Sequence, residues 1–205
     1  YDRARHLLSI GYDVDNRRLD QGHYDLLASE ARLCSFVAVA QGQLPQDTWF
    51  ALGRLLTEVD GDATLLSWSG SMFEYLMPML VMPSYAGTLL DQTCRAAVAR
   101  QIEYGNQLGL PWGVSESAYN VMDGHFNYQY RAFGVPGLGL KRGLGDDLVV
   151  APYATALAMD AREHKILLAP GQLFMPDARV VPWLRFNVAH AQDERIYRLL
   201  EQAAH

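Results

Sequence analysis

Thr88-Leu89-Leu90-Asp91-Gln92-Thr93-Cys94-Arg95-Ala96-Ala97-Val98-Ala99-Arg100-Gln101-Ile102-Glu103-Tyr104-Gly105-Asn106-Gln107-Leu108-Gly109 is the stretch on which the fold turns. It predicts one long helix, with Asp91 in the first turn opposing the helix dipole and glycines at 105 and 109 closing it. Upstream, residues 21–41 carry a Leu/Ala-rich helical pattern ended by Gln41-Gly42. Pro45-Gln46-Asp47-Thr48-Trp49-Phe50 opens a second helix, with proline tolerated in its first turn. Ser69-Gly70-Ser71 precedes a third, Met72 to Met82, interrupted by Pro78. Before them, Ile10 to Asn16 reads as a turn-rich extended segment. Downstream, residues 109–147 read mostly as a loop rich in Gly, Trp, Tyr and Asn, and so long a loop in a compact domain is usually functional.

Helices joined by polar, aromatic loops suggest a mainly α fold, an α/α toroid. The helices suffice for about three hairpins, so the expectation is an arc of an (α/α)6 barrel. From about residue 160 the pattern changes. Lys165 to Gly171 and Pro182 to Ala189 read as strands, and Asp193 to Leu200 as a helix with an acidic first turn. The expected division is a helical domain over 1–158 and a short α/β tail over 159–205.

Composition narrows the function. Half of the 205 residues are hydrophobic, enough for a substantial core. The net charge of −6 argues against nucleic acid, which needs a basic face. Cys34 and Cys94 lie in apolar helical patterns and read as buried thiols of a reducing compartment. The six histidines show no metal-ligand spacing. The most apolar stretch, 65–90, is too interrupted to span a membrane. The opening Tyr1-Asp2-Arg3 reads as an excised or internal piece of a longer chain.

Two glutamates carry the chemical expectation. Glu30 lies in Tyr24-Asp25-Leu26-Leu27-Ala28-Ser29-Glu30-Ala31-Arg32, and Glu116 in Trp112-Gly113-Val114-Ser115-Glu116-Ser117-Ala118-Tyr119. A pair of carboxyls among aromatic and small polar residues is what glycoside chemistry uses: one protonates the leaving oxygen, the other attacks or activates water. Each has a plainer reading. Glu30 suits a helix-surface glutamate paired with an arginine, although Leu26, Leu27, Cys34 and Val37 set it near an apolar face. Glu116 suits a turn carboxylate beside Ser115 and Ser117. Glu74 either pairs with an arginine, caps a backbone, or holds a sugar hydroxyl. Tyr128, Tyr130 and Arg131 either contact sugar or pack a long loop. Gly137-Leu138-Gly139-Leu140-Lys141-Arg142-Gly143 hints at phosphate binding but lacks P-loop spacing. Asp146-Asp147 is most simply a helix N-terminal pair.

Residues 1 to about 158 resemble the middle, glycoamylase-like region of cyclic β-1,2-glucan synthases. The carrying segments are Leu8–Tyr12, Tyr24–Arg32, Leu66-Ser67-Trp68-Ser69-Gly70-Ser71-Met72-Phe73-Glu74-Tyr75, Trp112–Tyr119, Tyr128–Gly137 and Val149–Ala158. The resemblance implies an α/α-barrel transglycosylase that closes a β-1,2-glucan into a ring with retention, without a cofactor. It implies Glu116 as nucleophile and Glu30 as acid/base, with Trp68, Glu74, Trp112, Tyr119, Tyr128, Tyr130 and Arg131 toward the glucan. It also implies a cytoplasmic-side domain of a bacterial inner-membrane protein. The alternatives are a non-catalytic glucan-binding or structural fragment. An open arc would leave helix faces uncovered and promote self-association. The tail, around Leu167–Phe174 and Pro182–Ala189, resembles the end of fold-type I pyridoxal-phosphate aminotransferases, with Arg185 at the carboxylate-holding position. That suggests a chimera joined near 158–163, and pyridoxal-phosphate chemistry is the weakest alternative because its lysine environment is missing.

Overall fold

A computed structural model describes residues 1–162, 169–170 and 184–185. Two compact units are distinguished, Tyr1–Ala151 and Pro152–His205.

The first unit opens with a long two-stranded ribbon. Strands β1 (Leu8–Ser9) and β2 (Tyr12–Asp13) run antiparallel to β3 (Arg18–Leu19) and β4 (His23–Tyr24), in the register Leu8↔Tyr24 and Tyr12↔Leu19. Ile10 N–H donates to Gly22 O and Asp20 N–H to Gly11 O, continuing the ladder between the two pairs. The turn is made by Asp13, whose carboxylate accepts from the Asn16 backbone and side chain at 3.0 and 2.7 Å, a local bond that substitutes for a backbone turn.

Helix α1 (Ala31–Ala40) and the short α2 (Asp47–Ala51) follow. Strands β5 (Leu56–Val59) and β6 (Asp62–Leu65) form a tight hairpin. Its two turn residues, Asp60 and Gly61, both have positive φ (51° and 86°), as the hairpin turns that match strand twist require. Helix α3 (Met72–Leu76) passes into a 3-10 turn over Met77–Leu80, where Pro78 lacks the N–H that an α-helix would use. The long α4 (Leu89–Leu108) is capped by Thr88, whose hydroxyl accepts from Asp91 N–H, and ends at Gly109 in the left-handed region, φ 66°. Its buried face, Thr93, Cys94, Ala97, Val98, Gln101 and Gly105, follows the helical period. It packs on β6, where Thr93 Oγ1 accepts from Leu65 N–H at 3.1 Å. Strands β7 (Ser117–Met122) and β8 (Tyr128–Arg131) make a third hairpin, with a register shift between Ala118 and Met122.

In the second unit, helix α5 spans Pro152–Arg162, and β9 (Ala169–Pro170) pairs antiparallel with β10 (Leu184–Arg185). These fragments fall within the two strands read from the tail; the helix read over 193–200 lies outside the described residues.

The mainly α arc is therefore corrected. Five α-helices are described, of which only α1, α4 and α5 exceed two turns, and small antiparallel hairpins stand between and beside them. Among the described residues the helices do not pair into an arc. The helical reading of 21–41 fails in its first half for a physical reason. Leu26, Leu27, Ala28 and Ser29 are all buried, leaving no exposed face for an amphipathic helix, and Leu26 instead bridges Gly53 as extended chain. The loop read over 109–147 contains the β7–β8 hairpin.

Smaller corrections follow the same logic. Cys94 is buried but Cys34 is exposed. Asp146 lies in a turn closed by its own N–H on Gly143 O, and Asp147 pairs with Arg131 at 3.0 Å; neither begins a helix. The glycine-rich run near 137–143 is a packing seam. Val135 N–H donates to Gly70 O, Ser67 N–H to Leu138 O, and Leu140 N–H to Ser67 O. A Cβ at Gly134 would lie 1.7 Å from Ser69 O, and one at Gly139 2.5 Å from Gly70 N, so only glycine lets the two backbones approach this closely.

Candidate active site

Three glutamates of the first unit, Glu30, Glu74 and Glu116, are electrostatically linked through Glu30. Glu30 stands at the N-terminal cap of α1, and its side chain makes no capping hydrogen bond. One carboxyl oxygen, Oε2, is buried without a hydrogen-bond partner. Its proton affinity is raised above the ordinary value of 4.5: burial is the largest cause, and the negative charges of Glu74 and Glu116 add to it, against its own backbone N–H and Arg32. Desolvation and like charge both favour the neutral acid, so Glu30 is suited to give a proton.

Helix α4 positions Glu116. The buried Gln101 amide grips Val114 from both sides, donating to Val114 O at 2.8 Å and accepting from Val114 N–H at 2.7 Å. Met72 N–H donates to Val114 O at 3.2 Å, and Phe73 N–H to Ser115 Oγ at 3.0 Å. Glu116 follows at the start of β7. The Tyr130 hydroxyl, on β8, donates to Glu116 Oε2 at 3.0 Å.

Helix α1 is stapled to α3 by Arg32. This buried guanidinium donates to Ser29 O, to Glu74 O at 2.9 Å and to Tyr75 O. Glu74 itself is only 4% exposed. Its carboxylate accepts from the Trp68, Ser69 and Ser71 backbone N–H groups and from the Ser67, Ser69 and Ser71 hydroxyls, so it faces its own loop.

The aromatic candidates divide. Trp68 is half exposed and anchored through Nε1–H to Asp25 Oδ1 at 3.2 Å. Tyr128 and Tyr130 are 62% and 64% exposed on β8. Tyr119 packs edge-on against Phe133, ring centroids 5.1 Å apart. The Arg131 guanidinium lies 4.7 Å from the Phe133 ring and 5.9 Å from that of Tyr119, and is held by Asp147. Trp112 packs where the chain leaves α4; a Cβ at Gly105 would meet its Cβ at 2.9 Å. No group of side chains able to hold a metal ion occurs among the described residues.

Sequence reasoning passed over Asp25, Gln101, Arg32 and the serine ladder 67–69–71. The last had a visible signal: Ser71-x-x-Glu74 is a capping box, and both of its reciprocal hydrogen bonds are present. Gln101 sits in helical register with Ala97, Val98 and Gly105, so a buried amide was foreseeable there. Its partner was not.

Glu30 is thus a partly buried carboxyl with one unpartnered oxygen, and Glu116 a carboxyl held by Tyr130. The chain belongs to the Glycoamylase family, described as "Putative glucoamylase", whose family model matches residues 22–174. Over 154 residues it is 56% identical to the cyclic beta-(1,2)-glucan synthase NdvB of Rhizobium meliloti (strain 1021). That match takes in 75% of this chain and 5% of the relative's length. The resemblance to cyclic β-1,2-glucan synthases is thereby borne out. The aminotransferase-like reading of the tail, and with it the chimera, finds no support, and the family match itself continues to residue 174.

Proposed function

We propose that this chain acts on β-1,2-glucan as a retaining transglycosylase of the kind that closes a linear glucan into a ring. The reading is supported by Glu30, whose burial and, less strongly, whose negative neighbours Glu74 and Glu116 bias it toward its protonated form. Glu116 attacks the anomeric carbon as the bond to the leaving sugar breaks, and Glu30 gives its proton to the leaving oxygen. Glu30 then takes the proton of a glucan hydroxyl, which displaces Glu116 and restores both carboxyls. Trp68, Tyr128 and Tyr130 present faces on which sugar rings can stack, with Trp112, Tyr119 and Arg131 supporting them. No cofactor enters these steps. On this reading the chain works on the cytoplasmic side of a bacterial inner membrane; no helix among the described residues is long and apolar enough to cross one.

The test is turnover of linear β-1,2-glucan by the wild type, Glu116→Gln and Glu30→Gln. Glu116→Gln is expected to abolish transfer. Glu30→Gln should cost roughly 10²–10⁴-fold on glucan and much less on a glucoside with an activated leaving group, which needs little protonation. Wild-type rates in either variant overturn the assignment. Glucan binding without turnover by the wild type would replace it with a non-catalytic glucan-binding role.

A further inference from the structure

A capping box needs two hydrogen bonds. Here Glu74 N–H donates to the Ser71 hydroxyl and the Glu74 carboxylate accepts from Ser71 N–H; the same carboxylate also gathers three further upstream groups, the Ser67 hydroxyl and the Trp68 and Ser69 amides at 3.1–3.2 Å, besides the Ser69 hydroxyl. No Lys, Arg or His of the described residues forms an ion pair with it. Three backbone amides pointing at one group call for a pure acceptor, which a glutamine's NH₂ cannot be on both sides. The residue's main chain is engaged as well. Glu74 O and Tyr75 O receive Arg32, two positions after Glu30.

We propose that Glu74 is the positioning residue of this site: its buried carboxylate fixes the loop that carries Trp68, and it sets a negative charge within electrostatic reach of Glu30. The proposal rests on the reading of Glu30 as the acid. Charge and structure are joined in one side chain. The groups acting on Glu30 are Glu74, Glu116 and Arg32, and Glu74 stands ahead of Glu116 among the charges that raise its proton affinity.

The two parts separate experimentally in the full chain, with glutamate carboxyls followed by ¹³C NMR and the Trp68 indole N–H by ¹⁵N NMR. Glu74→Gln removes the charge, and the Glu30 titration midpoint is expected to fall by about half a pH unit or more. The basic limb of the transglycosylation profile should move down with it. Glu74→Asp keeps the charge but shortens the reach: the Glu30 midpoint stays near wild type, while the Trp68 indole signal shifts or broadens and KM for glucan rises more than kcat falls. Should Glu74→Gln fail to fold, Ser69→Ala removes one tether and leaves the charge, with the same indole change expected at an unchanged Glu30 midpoint. A folded Glu74→Gln with the wild-type Glu30 midpoint overturns the electrostatic half. An undisturbed indole in Ser69→Ala and Glu74→Asp overturns the loop half. The titrations need no turnover, so a chain inactive on glucan in which Glu30 still follows Glu74 refutes the function proposed above and upholds the coupling.

Discussion

At the scale of the residue, Glu30 shows how placement changes chemistry. Sequence periodicity sets it in mid-helix near an apolar face; the structure sets it at the helix start, with one oxygen buried and unpartnered. Its raised proton affinity has a consequence for stability. A native state that holds a proton more tightly than the unfolded chain gains stability that is fully present below the ordinary glutamate value of 4.5 and is lost as pH rises through the native value. Above that window the buried carboxylate is a cost. Glu30→Gln, neutral at every pH, should therefore raise the thermal midpoint at pH 7–8 by roughly 1–3 °C, with the advantage disappearing toward pH 4. Calorimetry across that range checks it, and a variant less stable than wild type at neutral pH would refute the sign. The charge environment of Glu30 was legible in the sequence only in part. Leu26 and Leu27 announced burial, but nothing local announced Glu74 and Glu116, which come from 44 and 86 positions further along the chain.

At the scale of the element, legibility followed the range of the forces. The long α4 was legible because its cap, its period and its closing glycine are all local. Asp60-Gly61 was a local signal for the β5–β6 hairpin, and Asp123-Gly124 for β7–β8; the reading by helical pattern used neither. What could not be read was the seam between residues 67–70 and 134–141, since close backbone approach is a tertiary fact that glycine permits without specifying. That seam makes a sharp prediction. Gly134→Ala drives a methyl group into Ser69 O, a backbone atom that cannot swing away, and should destabilise the fold by about 3 kcal/mol or more. Gly124→Ala, with nothing within 4 Å of the added Cβ, should stay within about 0.5 kcal/mol of wild type. Urea unfolding of the pair measures both; equal stabilities would mean the two backbones do not cross as described.

At the scale of the whole molecule, the resemblance to glycoamylase-like proteins carried the family, while the barrel inferred from it did not carry the described architecture. The likeness was read from segments such as Trp68 to Tyr75 and Trp112 to Tyr119. Architecture depends on how many helices pair, which those segments do not encode. The two cysteines offer a way to watch the first unit as a whole. Cys34 lies exposed on α1, four residues from Glu30, whereas the Cys94 thiol is buried, donates to Tyr75 O at 3.4 Å and is pushed up by desolvation. Since only the thiolate reacts quickly with an alkylating dye, one equivalent should label within the mixing time of an ordinary assay, and the second only as fast as the core opens. Simultaneous labelling of both thiols in native buffer would show that Cys94 is not enclosed. The chain thus holds a built-in attachment point for a fluorophore beside the acid and an internal clock for its own opening, and a single labelling trace would read both without any mutation.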